Sequence, residues 1–358
     1  MPSEKKILIL ALISLSFFGL YKLLPFDSGA AKDRDMVAAA ETMNKAIEAL
    51  RACALEKKIP MDAREDLNRT GLIGPEASPI TTSLGHLDAK RTTANPNFAG
   101  LIAKLLKEAG VRRGDAVAIG ASSSFPALVI ASLCAVAAIN AKPVMIGSLG
   151  ASNWGATNPN FTLLDILDCL RQARVLDVRP VALAVGGEID NGSDMSEEGR
   201  ARLAEKIRRT GIFFLQETDL AANVQQRLSL YEENAAPSSI KAFINVGGSW
   251  ANMGTDSSVL RLRPGLTEVE AIPPPGKRGV IQEMAFREVP VVHLLFVRGL
   301  AERYGLPWDP VPLPAPGEGS LFLTNGRAAA PSSVLAGLSV VLMIAALVMF
   351  GRRRLKAP

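Results

Sequence analysis

Two long apolar runs stand near the ends of the chain, and between them short apolar stretches alternate with amphipathic ones. Residues 7–24 are broken only by Lys22, and residues 332–350 hold no charge. At about 1.5 Å of rise per residue each run reaches roughly 27 to 29 Å, close to the thickness of a hydrocarbon core. A backbone inside lipid must satisfy its own hydrogen bonds, so both runs are expected to be transmembrane helices. Lys5 and Lys6 precede the first, and Arg352, Arg353, Arg354 and Lys356 follow the second. Basic flanks stay in the cytoplasm, which places both termini there and the middle of the chain outside. Lys22 would then snorkel to the far interface. The first run also fits a cleaved signal peptide, with Gly29-Ala30-Ala31 as a small-residue cleavage site. Either reading exports the central domain.

Between the runs, Val37, Ala40, Met43, Ile47 and Leu50 recur at helical spacing and predict a helix over 33–58. From residue 116 the pattern switches repeatedly. Strands are expected at 116–119, 144–146, 181–185, 212–215 and 242–246. Helices are expected at 126–140, 159–173, 195–209 and 219–233. In the third of these Asp194 would cap and Glu197 would complete a capping box. Strands that alternate with helices predict an α/β fold with a parallel, doubly wound sheet. Residues 125–139 are apolar throughout but number too few to span a membrane comfortably, and they read as a buried helix. The sequence thus divides into a membrane anchor (1–30), a helical membrane-proximal segment (31–70), an extracytoplasmic α/β domain (71–312), a Pro-rich linker (313–330) and a C-terminal transmembrane helix with a basic tail (331–358).

Thr93-Ala94-Asn95-Pro96-Asn97-Phe98 has an echo in Ala156-Thr157-Asn158-Pro159-Asn160-Phe161. Both copies read as helix starts: Asn caps, Pro takes the first helical position, and Phe packs inward.

Charge changes the picture once it is divided. Residues 1–24 carry a net +2 and residues 351–358 a net +4, so of the formal +5 the rest holds −1. A nucleic-acid binder would keep a basic face on its folded domain, and this one does not. Three cysteines, Cys53, Cys134 and Cys169, allow at most one disulfide and exclude a disulfide scaffold. Cys134, inside an apolar stretch, reads as a small buried hydrophobe.

Candidate chemistry gathers in polar, glycine-rich loops that follow the expected strands. They are 120–124, 147–155, 186–194 and 247–254. In an open parallel sheet the carboxyl ends share one edge, where ligands bind. Ser123, Ser124, Asn153, Trp154, Asn191, Ser249, Trp250 and Asn252 are therefore expected to contact a ligand, and helix N-termini behind the loops favour an anion. Lys90 and Arg91 lie in a donor-rich stretch and would clamp carboxylates. A serine hydrolase is the alternative, with Ser122, Asp256 and His293 as nucleophile, orienter and base, although Gly120-Ala121-Ser122-Ser123-Ser124 lacks the last glycine of a nucleophile elbow. His293 equally suits a core position. The chain has no phosphate-loop match, no metal-ligand spacing and no cofactor motif.

Ile73-Gly74-Pro75-Glu76, Ile80-Thr81-Thr82, Leu84-Gly85, Ala89-Lys90-Arg91-Thr92 and Asn95-Pro96 together resemble the poly-gamma-glutamate system protein family. So do Gly120 through Pro126, Val292-His293-Leu294-Leu295 and Tyr304-Gly305-Leu306-Pro307. The resemblance spans about residues 70–315. It implies a process and a place, because members are encoded beside the machinery that makes and exports poly-γ-glutamate. It brings no catalytic residues, since the family has no established activity. The partners it implies are the polymer, or its synthase and export complex, at the membrane.

Overall fold

Alternate side chains of a strand point to opposite faces, and here both sets are apolar, so the strands are buried on both sides. The computed structural model describes residues 31–323. They fall into two units. Residues 34–322 form one; the described residues of the other are 31–33 and 323, and within it Lys32 and Leu323 pair as an isolated antiparallel bridge. Both apolar runs expected to cross the membrane lie outside the described residues. Among those described, no helix is long and apolar enough to cross one.

In the larger unit the chain opens with helix α1 (Arg34–Glu56), then α2 (Leu87–Thr93) and α3 (Asn97–Glu108). The α/β alternation follows: β1 (Ala116–Ser122), α4 (Pro126–Ala138), β2 (Lys142–Ser148), α5 (Leu163–Gln172), β3 (Ala182–Ala184), α6 (Glu197–Thr210), β4 (Phe213–Phe214), α7 (Leu220–Ala235) and β5 (Ile240–Val246). After a short helix α8 (Trp250–Met253) come β6 (Gly265–Thr267), α9 (Val280–Phe286), β7 (Val291–His293) and α10 (Val297–Tyr304).

The seven strands make one sheet in the order β4-β3-β2-β1-β5-β7-β6. All neighbours run parallel except β6, which is antiparallel to β7 at one edge. From β1 the chain steps outward to β4, then returns to lay β5 on the other side of β1. Val117, Ile119, Met145, Leu183 and Ile244 face one layer of helices, built from α3, α4 and α5. Ala118, Val144, Ile146, Phe243 and Val291 face the other, built from α7 and α9. Helix α4 is apolar all round because it is enclosed, with α1 and α3 packed on it outside and the sheet inside.

Four expectations change in detail. The helix expected from Pro159 begins at Leu163, because the Asp165 carboxylate accepts from the Thr162 N–H and hydroxyl and sets the first turn there. The two echoed segments share an Asx turn, in which Asn95 and Asn158 each accept from the N–H two residues on, and both bury their Phe, but only the first opens a helix directly. Helix α6 is capped by Ser196, whose Oγ accepts from Gly199 N, because Asp194 is already held by the Glu188 N–H. The sheet also continues past residue 248 through β6 and β7, which lie outside the regular strand–helix alternation of the pattern.

The segment expected to be a membrane-proximal helix is α1, and it packs as a layer of the domain, with Met43 and Leu50 fully buried. The proline-rich stretch is likewise stitched down. Asn68 Nδ2 donates to Pro310 O, Asn97 Nδ2 to Ala315 O, and Gly317 N to Asn97 Oδ1. Cys53 of α1 and Cys169 of α5 form a disulfide across 116 residues, and Cys134 is a buried free thiol. One bridge and one spare thiol is what the count allowed.

Candidate functional site

Parallel pairing aligns the strand ends. Ser122 lies beside Ser148, Ser148 beside Ala184, and Asn245 beside His293. The loops leaving β1, β2, β3 and β5 therefore open on one edge, where the strand order reverses between β1 and β5. A cleft of about 480 Å³ lies there. Its lining takes Ser122, Ser124 and Phe125 from the first loop, Gly150 and Ser152 from the second, Gly187, Glu188 and Asp194 from the third, and Gly247, Gly248 and Ser249 from the fourth. Residues 82–86, Ala89 and Lys90 complete the wall from α2 and the irregular segment before it.

Glycine is required at two of these turns for a visible reason. Gly247 has φ +108°, and a Cβ on it would sit 2.4 Å from Ser122 Cβ. At Gly85 a Cβ would sit 2.7 Å from Asn153 O and 3.3 Å from Lys90 Cε. The loops thus approach more closely than side chains permit. The backbone N–H groups of Gly187, Gly247, Gly248 and Ser249, residues that line the cleft, make no hydrogen bond among the described residues.

Lys90 is the unusual residue. It is 2% exposed, yet among the described residues its ammonium pairs with no carboxylate. Nζ donates to Ser124 O, lies 2.7 Å from Ser152 Oγ and sits 3.8 Å above the centre of the Phe125 ring. Burial without a counter-charge lowers its pKa to about 7. Ser152 is itself buried, and its N–H donates to Ser124 Oγ at 3.0 Å, so the two loops and the lysine form one small network.

The other expected ligand contacts separate into two groups. Ser124, Ser249 and Lys90 line the cleft. Ser123 is fully buried, and its hydroxyl donates to Ser148 O at 2.7 Å. Arg91 points elsewhere, donating from Nε to Asp309 Oδ1 at 2.7 Å and from a second nitrogen to Oδ2. Asn153 Nδ2 donates to Glu76 O, and Trp154 Nε1 to Glu65 Oε1 at 3.0 Å, so both hold the preceding loop in place. Asn191 Oδ1 accepts from Ser193 N within its turn. Trp250 donates its backbone N–H to Glu188 O, and Asn252 is buried against Gly120.

Ser122, Asp256 and His293 are not linked by hydrogen bonds. Asp256 caps a 3-10 turn, and the Ser258 N–H and hydroxyl that it faces lower its pKa. The His293 ring accepts at Nδ1 from Asn245 Nδ2, 3.1 Å away, and burial lowers its pKa to about 4. Asn245 Nδ2 also donates to Gly247 O at 2.9 Å, so this histidine steadies the fourth loop from beneath. The Ser122 Oγ accepts from Ser124 N at 3.2 Å.

Two further features escaped the sequence. Ser152 lies in one of the expected loops, but only the fold brings it to Lys90, 62 residues away. Beneath the cleft, Asp190 and Arg227 form a fully buried ion pair, with Ser148 Oγ donating to Asp190 Oδ1 at 2.7 Å and Arg227 Nε to Asn223 Oδ1 at 2.8 Å. Burial pushes the Asp190 carboxyl up, against the pull of Arg227 and of the Ser148 hydroxyl. Among the described residues, no three His, Cys, Asp or Glu side chains are grouped to hold a metal ion.

Compared with known proteins, the chain matches no family model, no curated protein and no solved structure. The reading of its function rests on the residues themselves.

Proposed function

We propose that this protein is a membrane-anchored component of poly-γ-glutamate production at the cell envelope, and that its cleft binds carboxylates of the polymer. In this reading residues 7–24 and 332–350 cross the membrane, both termini are cytoplasmic, and the α/β domain stands outside. The Cys53–Cys169 disulfide supports an oxidising compartment. The resemblance in residues 70–315 supports the process.

The observation that carries the site is Lys90: a buried amine in a cleft, with acceptors but no negative partner. A carboxylate arriving beside it supplies the missing charge and holds the ammonium form. The free N–H groups of Gly247, Gly248 and Ser249 supply further donors for the same anion. Glu188 and Asp194 also line the cleft, but Asp194 is engaged with the Glu188 N–H.

Titrating a short γ-glutamyl oligomer into the full chain in detergent tests the site. Binding that weakens at least ~10-fold in Lys90→Met supports it, and no binding by the wild type removes it. Deleting the gene and measuring surface polymer tests the process; unchanged amount and chain length would discard it.

A further inference from the structure

We propose that Ser152 and Lys90 form a nucleophile–base dyad that cleaves an amide bond of an acyl chain bound in the cleft. The inference rests on the carboxylate-site reading for the substrate class, a carboxylate-bearing amide, but it needs Lys90 neutral, so in the productive complex the substrate carboxylate lies on the Ser249 side of the cleft and not on Lys90.

The geometry is that of an activated serine. Ser152 Oγ and Lys90 Nζ are 2.7 Å apart, both residues line the cleft, and both are buried enough to exclude bulk water. The amine directs one N–H to Ser124 O, which fixes its orientation; as an ammonium it also donates to Ser152 Oγ, and on losing a proton it can accept from that hydroxyl across the same contact. Ser152 is held in turn through its own N–H on Ser124 Oγ. With its pKa near 7, Lys90 is partly neutral at neutral pH, the form a general base needs. A lysine serving this role in place of histidine is a known variant of the serine triad. The same cleft presents the free N–H groups of Gly187, Gly247 and Gly248, donors of the kind that stabilise an oxyanion.

The step balances as follows. The Ser152 Oγ–H proton passes to Lys90 Nζ as Oγ bonds to the amide carbon and the carbonyl oxygen takes the negative charge. When the carbonyl re-forms, the C–N bond breaks and the Lys90 ammonium returns the proton to the departing amine. Water then attacks the Ser152 ester, giving its proton to Lys90. The ester C–O bond breaks, Ser152 recovers its hydrogen, and a carboxylic acid leaves. The net change is amide plus water to acid plus amine.

The test is a fluorophosphonate probe on the full chain in detergent, with the labelled peptide identified by mass spectrometry. The expected result is a single adduct on Ser152, absent in Ser152→Ala and formed at least ~100-fold more slowly in Lys90→Met. Thermal melts of both variants confirm that they fold. The labelling rate should rise between pH 5 and 9 with a midpoint near 7. His86, Glu188 and Asp194 are the other titratable groups lining the cleft, so persistence of that midpoint in His86→Asn assigns it to Lys90. An adduct on another serine, no adduct on folded wild type, or undiminished labelling of folded Lys90→Met would overturn the dyad. An unlabelled wild type that still binds the oligomer discards the dyad alone. A labelled Ser152 with no oligomer binding discards the carboxylate reading alone.

Discussion

Arg91 donates two parallel hydrogen bonds to the carboxylate of Asp309, 218 residues further along the chain. Its neighbour Lys90 turns the opposite way in purpose, into the cleft. Two adjacent cations read as one clamp in the sequence, yet one fastens the C-terminal segment of the domain and the other lines the cleft. The pair is mostly buried, at 16% and 22% exposure, so solvent screens it only in part.

Replacing Arg91 by Ala should destabilise the domain by about 1–3 kcal/mol, as loss of a charge-assisted pair does. Lysine should restore little, because it lacks the planar fork. Urea unfolding of both variants and of Asp309→Ala checks this, and the double variant should lose less than the sum of the singles.

Acid should weaken the fold through His293. Its pKa is about 4 when folded against 6.5 when exposed, so between those values the unfolded chain binds more protons. The stability it contributes is complete above pH 6.5 and is lost as pH falls toward 4. The loss amounts to roughly 3 kcal/mol for a shift of this size. Melting curves from pH 7 to pH 4 should fall more steeply for wild type than for His293→Gln.

Asp190→Ala should destabilise by about 3–5 kcal/mol, because it leaves the Arg227 guanidinium buried without its partner. Ser148, which lines the cleft, also loses its acceptor. Changing Asp190 and Arg227 together to Leu and Met should be milder than either single change. Equilibrium unfolding of the three variants decides it.

Reduction of Cys53–Cys169 should cost about 3–5 kcal/mol, since the bond closes a loop with a separation of 116 residues. Cys134 should resist a maleimide until the protein unfolds, because burial raises its thiol pKa. Mass spectrometry of the native and the denatured, reduced chain gives the count of modified thiols.

The alternation of β-branched runs with amphipathic ones made the central sheet legible, because doubly buried strands and half-buried helices leave different periods in the sequence. β3 and β4 are no longer than β6 and β7 but sit in that alternation; β6 and β7 follow Pro264 and Pro290 outside it, and so they went unread although they complete the sheet. The four loops were legible too, since glycine marks the turns at strand ends. Which polar side chains in those loops face the cleft was not. Asn153 and Trp154 face Glu76 and Glu65, while Ser152 beside them faces Lys90; neighbouring positions in an irregular loop follow no period. Lys90 read as one half of a carboxylate clamp with Arg91, and its burial was not legible, because a sequence shows charge but not desolvation.

The sulfur crosslink has a consequence for wear. Lys90, Ser122, Ser124 and Ser152 all belong to the covalent ring that runs from residue 53 to residue 169. The ring also carries the tip at Leu84, which is 92% exposed and is an obvious place for a protease to bite. A molecule clipped there stays in one piece, with both flanks of the cut still attached to the same sulfurs. On a gel it would run as an intact chain until a reductant is added.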